Sequence, residues 1–370
     1  MDATLLEVYQ AERSAETAQF LQIDMTKEVG YAARFALFSA NLALFLPNIP
    51  TSQHPALFEE AIINNYLETS DRNLVHISDI SIFEGQTQQV LAVPPQQFIY
   101  CSFHLGSYRV FLNWLFRLQR DLVILVRQGV FDEQVQEIMD QKDQIVERYN
   151  IKSDVKIINA DEPTSALKIL RLLRAGYSLV AFMDANSGTG DASGQEIQFL
   201  NHGLSVRKGL PFLSYAANIP ILPVIAYRTP DLQNVVCVGE PIYPDKLLAK
   251  ETFERQTLQH LYDWLAEYVQ KFPAQWEVWT YINNFMLPPK VPALVSDVQL
   301  FQKTTYQFNA QRYMLFELEA GPVLFDRAGY DVNEISPDLF RYLSQPTLTN
   351  LASTLDNDTF QDLVANAVIV

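Results

Sequence analysis

Cysteine is the scarcest of the chemically informative residues here: two in 370, Cys101 and Cys237, far apart and each inside an apolar run. Such a pair offers no disulfide framework and no cysteine-based metal site, and predicts reduced core thiols in a cytoplasmic protein. The five histidines are scattered without the spacing of a zinc site, so no metal is expected. Positive charge is also short, 27 Lys and Arg against 43 Asp and Glu, for a formal net charge of −16. A surface of that sign repels phosphate, which argues against nucleic acid or an anionic membrane as the main partner and leaves room only for a local basic patch. Long hydrophobic runs are missing too. The most apolar stretch near the start, "FALFSANLALFLP" at 35–47, falls short of the roughly 20 residues of a membrane span. It reads as a buried helix, with an interfacial helix in peripheral contact with a membrane as the alternative. The opening "MDATLLEVYQAERSAE" is polar and acidic, unlike a signal peptide. Neither a Gly-x-Ser-x-Gly elbow nor a Walker A loop occurs. The "GTGDASG" of 188–194 lacks the strand-to-helix setting of a dinucleotide fingerprint.

What is present is a folded, enzyme-sized chain, 48% hydrophobic and 19% charged. Residues 1–90 read as mostly helical: "LLEVYQAERSAETAQFL" and "ALFEEAIINNYLE" repeat apolar residues at three- and four-residue spacing. From about 91 to 287 the pattern changes. Six short apolar runs, "QFIYCSF", "DLVILVR", "VKIINA", "YSLVAFMD", "IPILPVIAY" and "QNVVCVG", alternate for the most part with amphipathic stretches. Continuous apolar strands separated by helices predict an α/β fold, a mostly parallel sheet flanked by helices. Ligands of such sheets gather at the carboxyl ends of strands, where His104, Arg127 and Asp184 all fall. The prolines of "YINNFMLPPKVPALV" then mark a stiff connector, and 295–370 reads as a small α+β domain. It contains a hairpin around Ala320-Gly321-Pro322 and helical patterns in "ISPDLFRYLSQ" and "LTNLASTL".

The first pointer to chemistry is "FIYCSFHLGSYRV", 98–110, a buried strand that ends on His104 with Gly106 close behind. An imidazole with a pKa near ~6.5 accepts a proton from an attacking hydroxyl or amine at neutral pH. A carboxylate normally orients it and stabilises its charged form. A satisfied structural histidine is the plainer reading of the same residue.

Four blocks in order over nearly 200 residues carry a resemblance. "CSFHLGSYR" resembles the histidine–x4–acid block of the lauroyl/myristoyl acyltransferases of lipid A biosynthesis, within the wider lysophospholipid acyltransferase superfamily. "GYSLVAFMDAN" is similar to that family's second block, a glycine, an apolar strand and an aspartate. "IQFLNHGLSVRKGLPFLSYAANIPILPVIAYR" is similar to its apolar-Phe-apolar-Gly turn, helix and Pro-Val strand. "FPAQWEVW" resembles the closing Pro-x-Gln-aromatic-x-Trp signature, with Trp279 one place late. The resemblance implies a glycerolipid acyltransferase-like fold, no bound cofactor, and acyl carrier protein or acyl-CoA as the thioester donor. It implies His104 as general base and Asp184 as the second-block aspartate. It also implies Arg127 as an electrophilic or phosphate-contacting residue, with Ser107 and Arg109 in the substrate-binding loop. The Phe199–Asn201 turn would shape the acyl or acceptor pocket. Ser205, Arg207 and Lys208 would start the next helix beside it, holding a phosphate or an oxyanion, unless the two cations are simply solvated.

One position departs from the family. Where it has Glu or Asp, this chain has Arg109. A guanidinium beside the imidazole would depress its pKa and has no lone pair to accept the Nδ1 proton. Three readings follow. Asp184 supplies the carboxylate from another strand end while Arg109 pairs elsewhere; His104 acts alone on a strong nucleophile such as an amine; or the site only binds acyl chains.

The segment 295–370 is similar in layout to the PqqD-like winged-helix domains that recognise leader peptides of ribosomally made natural products. They add the peptide to a sheet edge as a further strand. The combined resemblance implies a soluble lipidation enzyme that moves a fatty acyl group to an amine or hydroxyl of a precursor peptide held by the C-terminal domain. Acylation of a glycolipid or lysolipid at a membrane surface, or a catalytically inactive scaffold, are the alternatives.

Overall fold

In the computed structural model, the protein is described over residues 4–28, 30–185, 194–287, 305–318, 320–345, 348–349 and 355–370. It is α/β, built on a mostly parallel seven-stranded sheet with helices on its faces. Its strands are β1 (Ile82–Gly85), β2 (Ile99–Ser102), β3 (Leu122–Val126), β4 (Val155–Asn159), β5 (Ser178–Phe182), β8 (Ile221–Arg228) and β9 (Asn234–Val238). A separate antiparallel hairpin, β6 (Gly194–Phe199) and β7 (His202–Arg207), precedes β8. The sheet order is β1-β9-β8-β2-β5-β3-β4. Strands β8, β2, β5, β3 and β4 run parallel; β9 turns back against β8, and β1 lies parallel to β9.

All six apolar runs are strands, and the central ones are apolar throughout because a parallel strand covered on both faces must be. Leu122, Val123 and Ile124 of β3, and Ile221, Leu222, Val224 and Ile225 of β8, are buried on both pleats. The sequence pattern did not reveal β1, which lies within the stretch expected to be helical and whose four residues are largely exposed. Nor did it reveal the β6–β7 hairpin. Its turn residues Leu200 and Asn201 hold φ of 47° and 69° without a glycine to announce them.

The helices are α1 (Leu5–Phe20), α2 (Tyr31–Phe45), α3 (His54–Arg72), α4 (Ile77–Ile80), α5 (Thr87–Leu91), α6 (Val110–Arg117), α7 (Gln128–Tyr149), α8 (Ser165–Arg174), α9 (Gly209–Ala217) and α10 (Lys250–Lys271). Thr4 and Glu7 close a capping box on α1, and Asn150 and Asn218 end α7 and α9 in the left-handed conformation. The chain steps from β2 to β3 to β4 through α6 and α7, then returns through α8 to β5. Right-handed crossovers therefore put α6 and α7 on one face and α8 on the other. Leaving β5, the chain passes to the far side of β2. The connections at the carboxyl ends of β2 and β5 thus leave toward opposite faces of the sheet, the arrangement at which ligands bind in sheets of this kind.

By packing, the chain divides into two units. One comprises Met1–Ile23, Glu59–Val278 and Asn284–Leu287; the other comprises Asp24–Phe58, Trp279–Asn283 and Pro288–Val370. Residues 24–58, expected within the helical N-terminal part of the larger domain, thus join the C-terminal segment. The reason is α2, whose Ala36 and Ala40 pack on Phe325, Met314, Phe316 and Tyr330. The run at 35–47 is accordingly a helix with a buried face. No described helix is long and apolar enough to cross a membrane.

In this second unit "YMLFELEAGPVLFD" forms the expected hairpin. β11 (Tyr313–Leu318) pairs antiparallel with β12 (Gly321–Asp326), and β13 (Asp331–Glu334) adds a third strand. The helix Pro337–Leu343 occupies "ISPDLFRYLSQ", and a last helix spans Asn357–Ala365. Where "LTNLASTL" suggested a helix, Leu348–Thr349 instead forms a short strand paired with β10 (Thr305–Tyr306), and 350–354 lie outside the described residues. The prolines of the connector and residues 188–193 also lie outside them.

Candidate active site

His104 stands two residues beyond β2, in a loop that is clamped from two sides. Gly106 has φ +58°, and a Cβ there would lie 2.7 Å from the Tyr227 Cα and 2.9 Å from the Ala226 carbonyl of β8. Only glycine lets the chain cross that strand so closely. On the other side, the Gly106 N–H donates to the Gln275 carbonyl at 3.0 Å, and the Glu277 N–H donates to the His104 carbonyl at 3.0 Å. The His104 loop is thus tied by two backbone hydrogen bonds to the segment 275–277.

Asp184 follows β5, the strand next to β2, in a short 3-10 turn at Met183–Ala185. Its side chain turns to His104. Oδ1 lies 2.7 Å from His104 Nδ1, and Oδ2 accepts the His104 backbone N–H at 2.9 Å and the Trp276 indole N–H at 2.8 Å. An ionised carboxylate only accepts, so Nδ1 carries the proton and Nε2 of the neutral ring is the free base. Nε2 makes no hydrogen bond to a described residue, and the side chain is 17% exposed. The ring is walled by Tyr108 at 4.8 Å and Phe182 at 5.1 Å between centroids. Burial pulls the imidazole pKa down, but the charge and hydrogen bond of Asp184, with the charge of Glu277, outweigh it. The net direction is upward.

Arg109 therefore does not leave His104 without a carboxylate. Its guanidinium exerts only a minor downward pull on the imidazole, against the expectation of a depressed pKa. Its Nε lies 3.7 Å from Glu68 of α3, and NH2 donates to Gln134 of α7 at 2.8 Å. Of the three readings of the departure, the geometry is that of the first: the acid comes from β5, and Arg109 pairs elsewhere.

Comparison of the chain with protein-family models finds no match, and no curated protein matches it.

The other residues singled out from the sequence are placed differently from one another. Ser107 is a correction: it is 1% exposed, and its hydroxyl is committed to Asp71 at 2.5 Å and to Arg228, so it faces the interior and not a substrate. Phe199 is likewise buried, against Tyr262 and Trp276, where it backs the indole that holds Asp184. Asn201 is an exposed turn residue of the hairpin. Ser205 and Arg207 belong to β7 and not to the next helix, which starts at Gly209 with Lys208 as its cap residue. Lys208 Nζ lies 3.8 Å from the buried Glu254, so its charge has an internal partner. Arg127 is exposed at the carboxyl end of β3. It stands two strands from β2, roughly 10 Å along the hydrogen-bonding direction.

Sequence reasoning missed the support of the dyad. Trp276 lay within a block already noted, but no spacing rule links an indole to an aspartate 92 residues earlier. Beneath the loop, Asp71 of α3 is fully buried and gathers Tyr9, Arg13, Ser107, Arg228 and Asn234 around its carboxylate. Burial alone would raise its pKa, yet Arg228 and these hydrogen bonds bring it below the ordinary value. The cluster ties α1, α3, β8 and β9 to Ser107, three residues from His104.

Proposed function

We propose that this protein is a thioester-dependent acyltransferase of the lauroyl/myristoyl type, moving a fatty acyl group from acyl carrier protein or acyl-CoA to an amine or hydroxyl of a peptide. The observation that carries this reading is the His104–Asp184 pair, with Nε2 free of any hydrogen bond to a described residue and the side chain partly exposed, at the ends of two adjacent parallel strands. An acceptor N–H or O–H facing Nε2 gives up its proton as it attacks the thioester carbonyl, and the departing thiolate takes that proton back. Asp184 remains ionised throughout and stabilises the imidazolium between the two transfers. Tyr108 and Phe182 flank the ring with apolar surface suited to an acyl chain's first carbons.

The proposed peptide acceptor draws on the second unit, read as a PqqD-like recognition domain. It contains the three-stranded antiparallel sheet in which β11 and β13 are each paired on one side only among the described residues. An extended peptide adds to such an edge through backbone hydrogen bonds. The test is intact-mass analysis of candidate acceptors after incubation with acyl-CoAs. A mass gain of one acyl group that disappears with His104→Ala is expected; a gain unaffected by that substitution sinks the assignment.

A further inference from the structure

Two carboxylates beside the dyad have no part in it. Glu277 directly follows Trp276 and is half-buried, and its side chain makes no hydrogen bond or ion pair with a described residue. Its charge is nonetheless felt by His104, Tyr108, Arg109 and Glu68. Glu68 is 7% exposed, and its buried Oε1 has no hydrogen-bond donor; the nearest cation, Arg109 Nε, stays 3.7 Å away. Burial raises its pKa more than Arg109 and Arg72 lower it. A carboxylate oxygen left in this condition costs free energy until a donor or cation reaches it.

With His104 neutral, Asp184, Glu68 and Glu277 face the guanidinium of Arg109, with that of Arg72 also acting on Glu68, so carboxylates outnumber guanidinium groups by one in this neighbourhood. The Tyr108 ring already carries the Arg109 guanidinium at 5.4 Å from its centroid, and the excess of carboxylates makes surroundings that favour a further cation and repel a phosphate.

We infer that the acceptor taken by this site is a primary amine arriving as an ammonium group, with Glu277 and Glu68 as the counter-charges that bring its nitrogen to His104 Nε2. The inference rests on the acyl-transfer reading and narrows its acceptor to amines over hydroxyls and phosphorylated lipids. The ammonium first loses one proton to solvent. The amine nitrogen then attacks the thioester carbonyl carbon, the C–N bond forms and the C–S bond breaks. His104 Nε2 takes a second nitrogen-bound proton and passes it to the thiolate. Thioester and ammonium give amide, thiol and one proton, with no change of oxidation state.

The test pairs turnover with binding. The full chain is given myristoyl-CoA with N-acetyl-lysine amide, N-acetyl-serine amide or lysophosphatidic acid, and products are weighed by mass spectrometry. Separately, calorimetry follows dodecylamine and dodecyl phosphate binding to the protein without donor. Acylation of the lysine compound alone is expected, with dodecylamine bound at least tenfold more weakly in Glu277→Gln and in Glu68→Gln, each checked for an unchanged unfolding profile. Preferred acylation of serine or lysophosphatidic acid, or dodecylamine affinity unchanged in both variants, overturns the amine inference and leaves acyl transfer standing. Carboxylate-dependent dodecylamine binding without transfer to any acceptor upholds the amine site and sinks the acyl-transfer reading instead. Neither transfer nor amine binding overturns both.

Discussion

Replacing Asp184 by asparagine tests the dyad at the atom on which it depends. Oδ2 accepts two donors, the His104 N–H and the Trp276 indole, while Oδ1 faces His104 Nδ1. Asparagine keeps one oxygen. If that oxygen faces the two fixed donors, its NH2 points at Nδ1, and the ring must accept there by moving its proton to Nε2. The opposite orientation sets the NH2 against two N–H groups in an interior where Asp184 is only 2% exposed. Two unmet buried donors cost about 1–3 kcal/mol each, more than a change of tautomer, so the first orientation wins. Nε2 then carries the proton it was meant to receive. The corresponding change in a serine protease triad lowers turnover about 10⁴-fold, which at about 1.4 kcal/mol per decade is roughly 5 kcal/mol of transition-state stabilisation. Single-turnover acyl transfer to a lysine-containing acceptor reads the rate, and urea unfolding checks the fold. A folded Asp184→Asn protein that keeps more than a tenth of the wild-type rate refutes the argument.

Four further outcomes follow from the same neighbourhood. The Asp184 pair and Glu277 raise the His104 pKa despite burial and Arg109, so the acid limb of the pH–rate profile should have its midpoint above ~6.5, the free value; a midpoint at or below it counts against the pair. The sign for stability is opposite: the charged pair contributes in full below ~6.5 and is lost as pH climbs through the raised pKa, visible as a pH-dependent unfolding midpoint. Trp276→Phe removes one hydrogen bond to Asp184 and should lower kcat about tenfold with KM for the donor unchanged, since roughly 1.4 kcal/mol is at stake. Asp71→Asn leaves Arg228 buried without its counter-charge and Arg13 with Glu16 alone, and should cost about 3–5 kcal/mol, read as a fall in urea midpoint at constant slope.

The parts of this fold that were legible in the sequence are those in which one residue property serves one purpose. The six apolar runs read as strands of a mostly parallel sheet, which set His104, Arg127 and Asp184 at strand ends; that β2 and β5 are neighbours while β3 is one strand further was not in the pattern. The short strand β1 and the β6–β7 hairpin carried no such signature. β1 is mostly exposed, and the hairpin turn adopts positive φ with Leu200 and Asn201 in place of glycine. Ser107 looked like a site residue by its position in the motif, yet strand-to-helix geometry turns it inward to Asp71, 36 residues away. Partners of that kind are set by tertiary packing, which period and spacing do not encode. For the same reason the apolar face of α2 was evident and what covers it, Phe325 and its neighbours, was not.

Arg109 can now be given a physical reason. Residue 109 precedes the first residue of α6, and its side chain lies toward α3 and α7, where Glu68 and Gln134 meet it. Restoring an acid there by Arg109→Glu would not serve the imidazole, because Nδ1 is already occupied by Asp184. It would place two carboxylates about 4 Å apart. At an effective dielectric of about 20 their repulsion approaches about 4 kcal/mol, but Glu68 is already held above its ordinary pKa by burial and escapes most of it by taking a proton. The expected loss is therefore about 2–3 kcal/mol of stability, shrinking as pH falls, with activity no higher than wild type. Adding Glu68→Gln should return most of that stability, because it removes the charge the proton was neutralising, and should still not raise the rate. A gain in turnover from Arg109→Glu alone would mean that residue 109 is the working partner of His104 and that the contact with Asp184 is only structural.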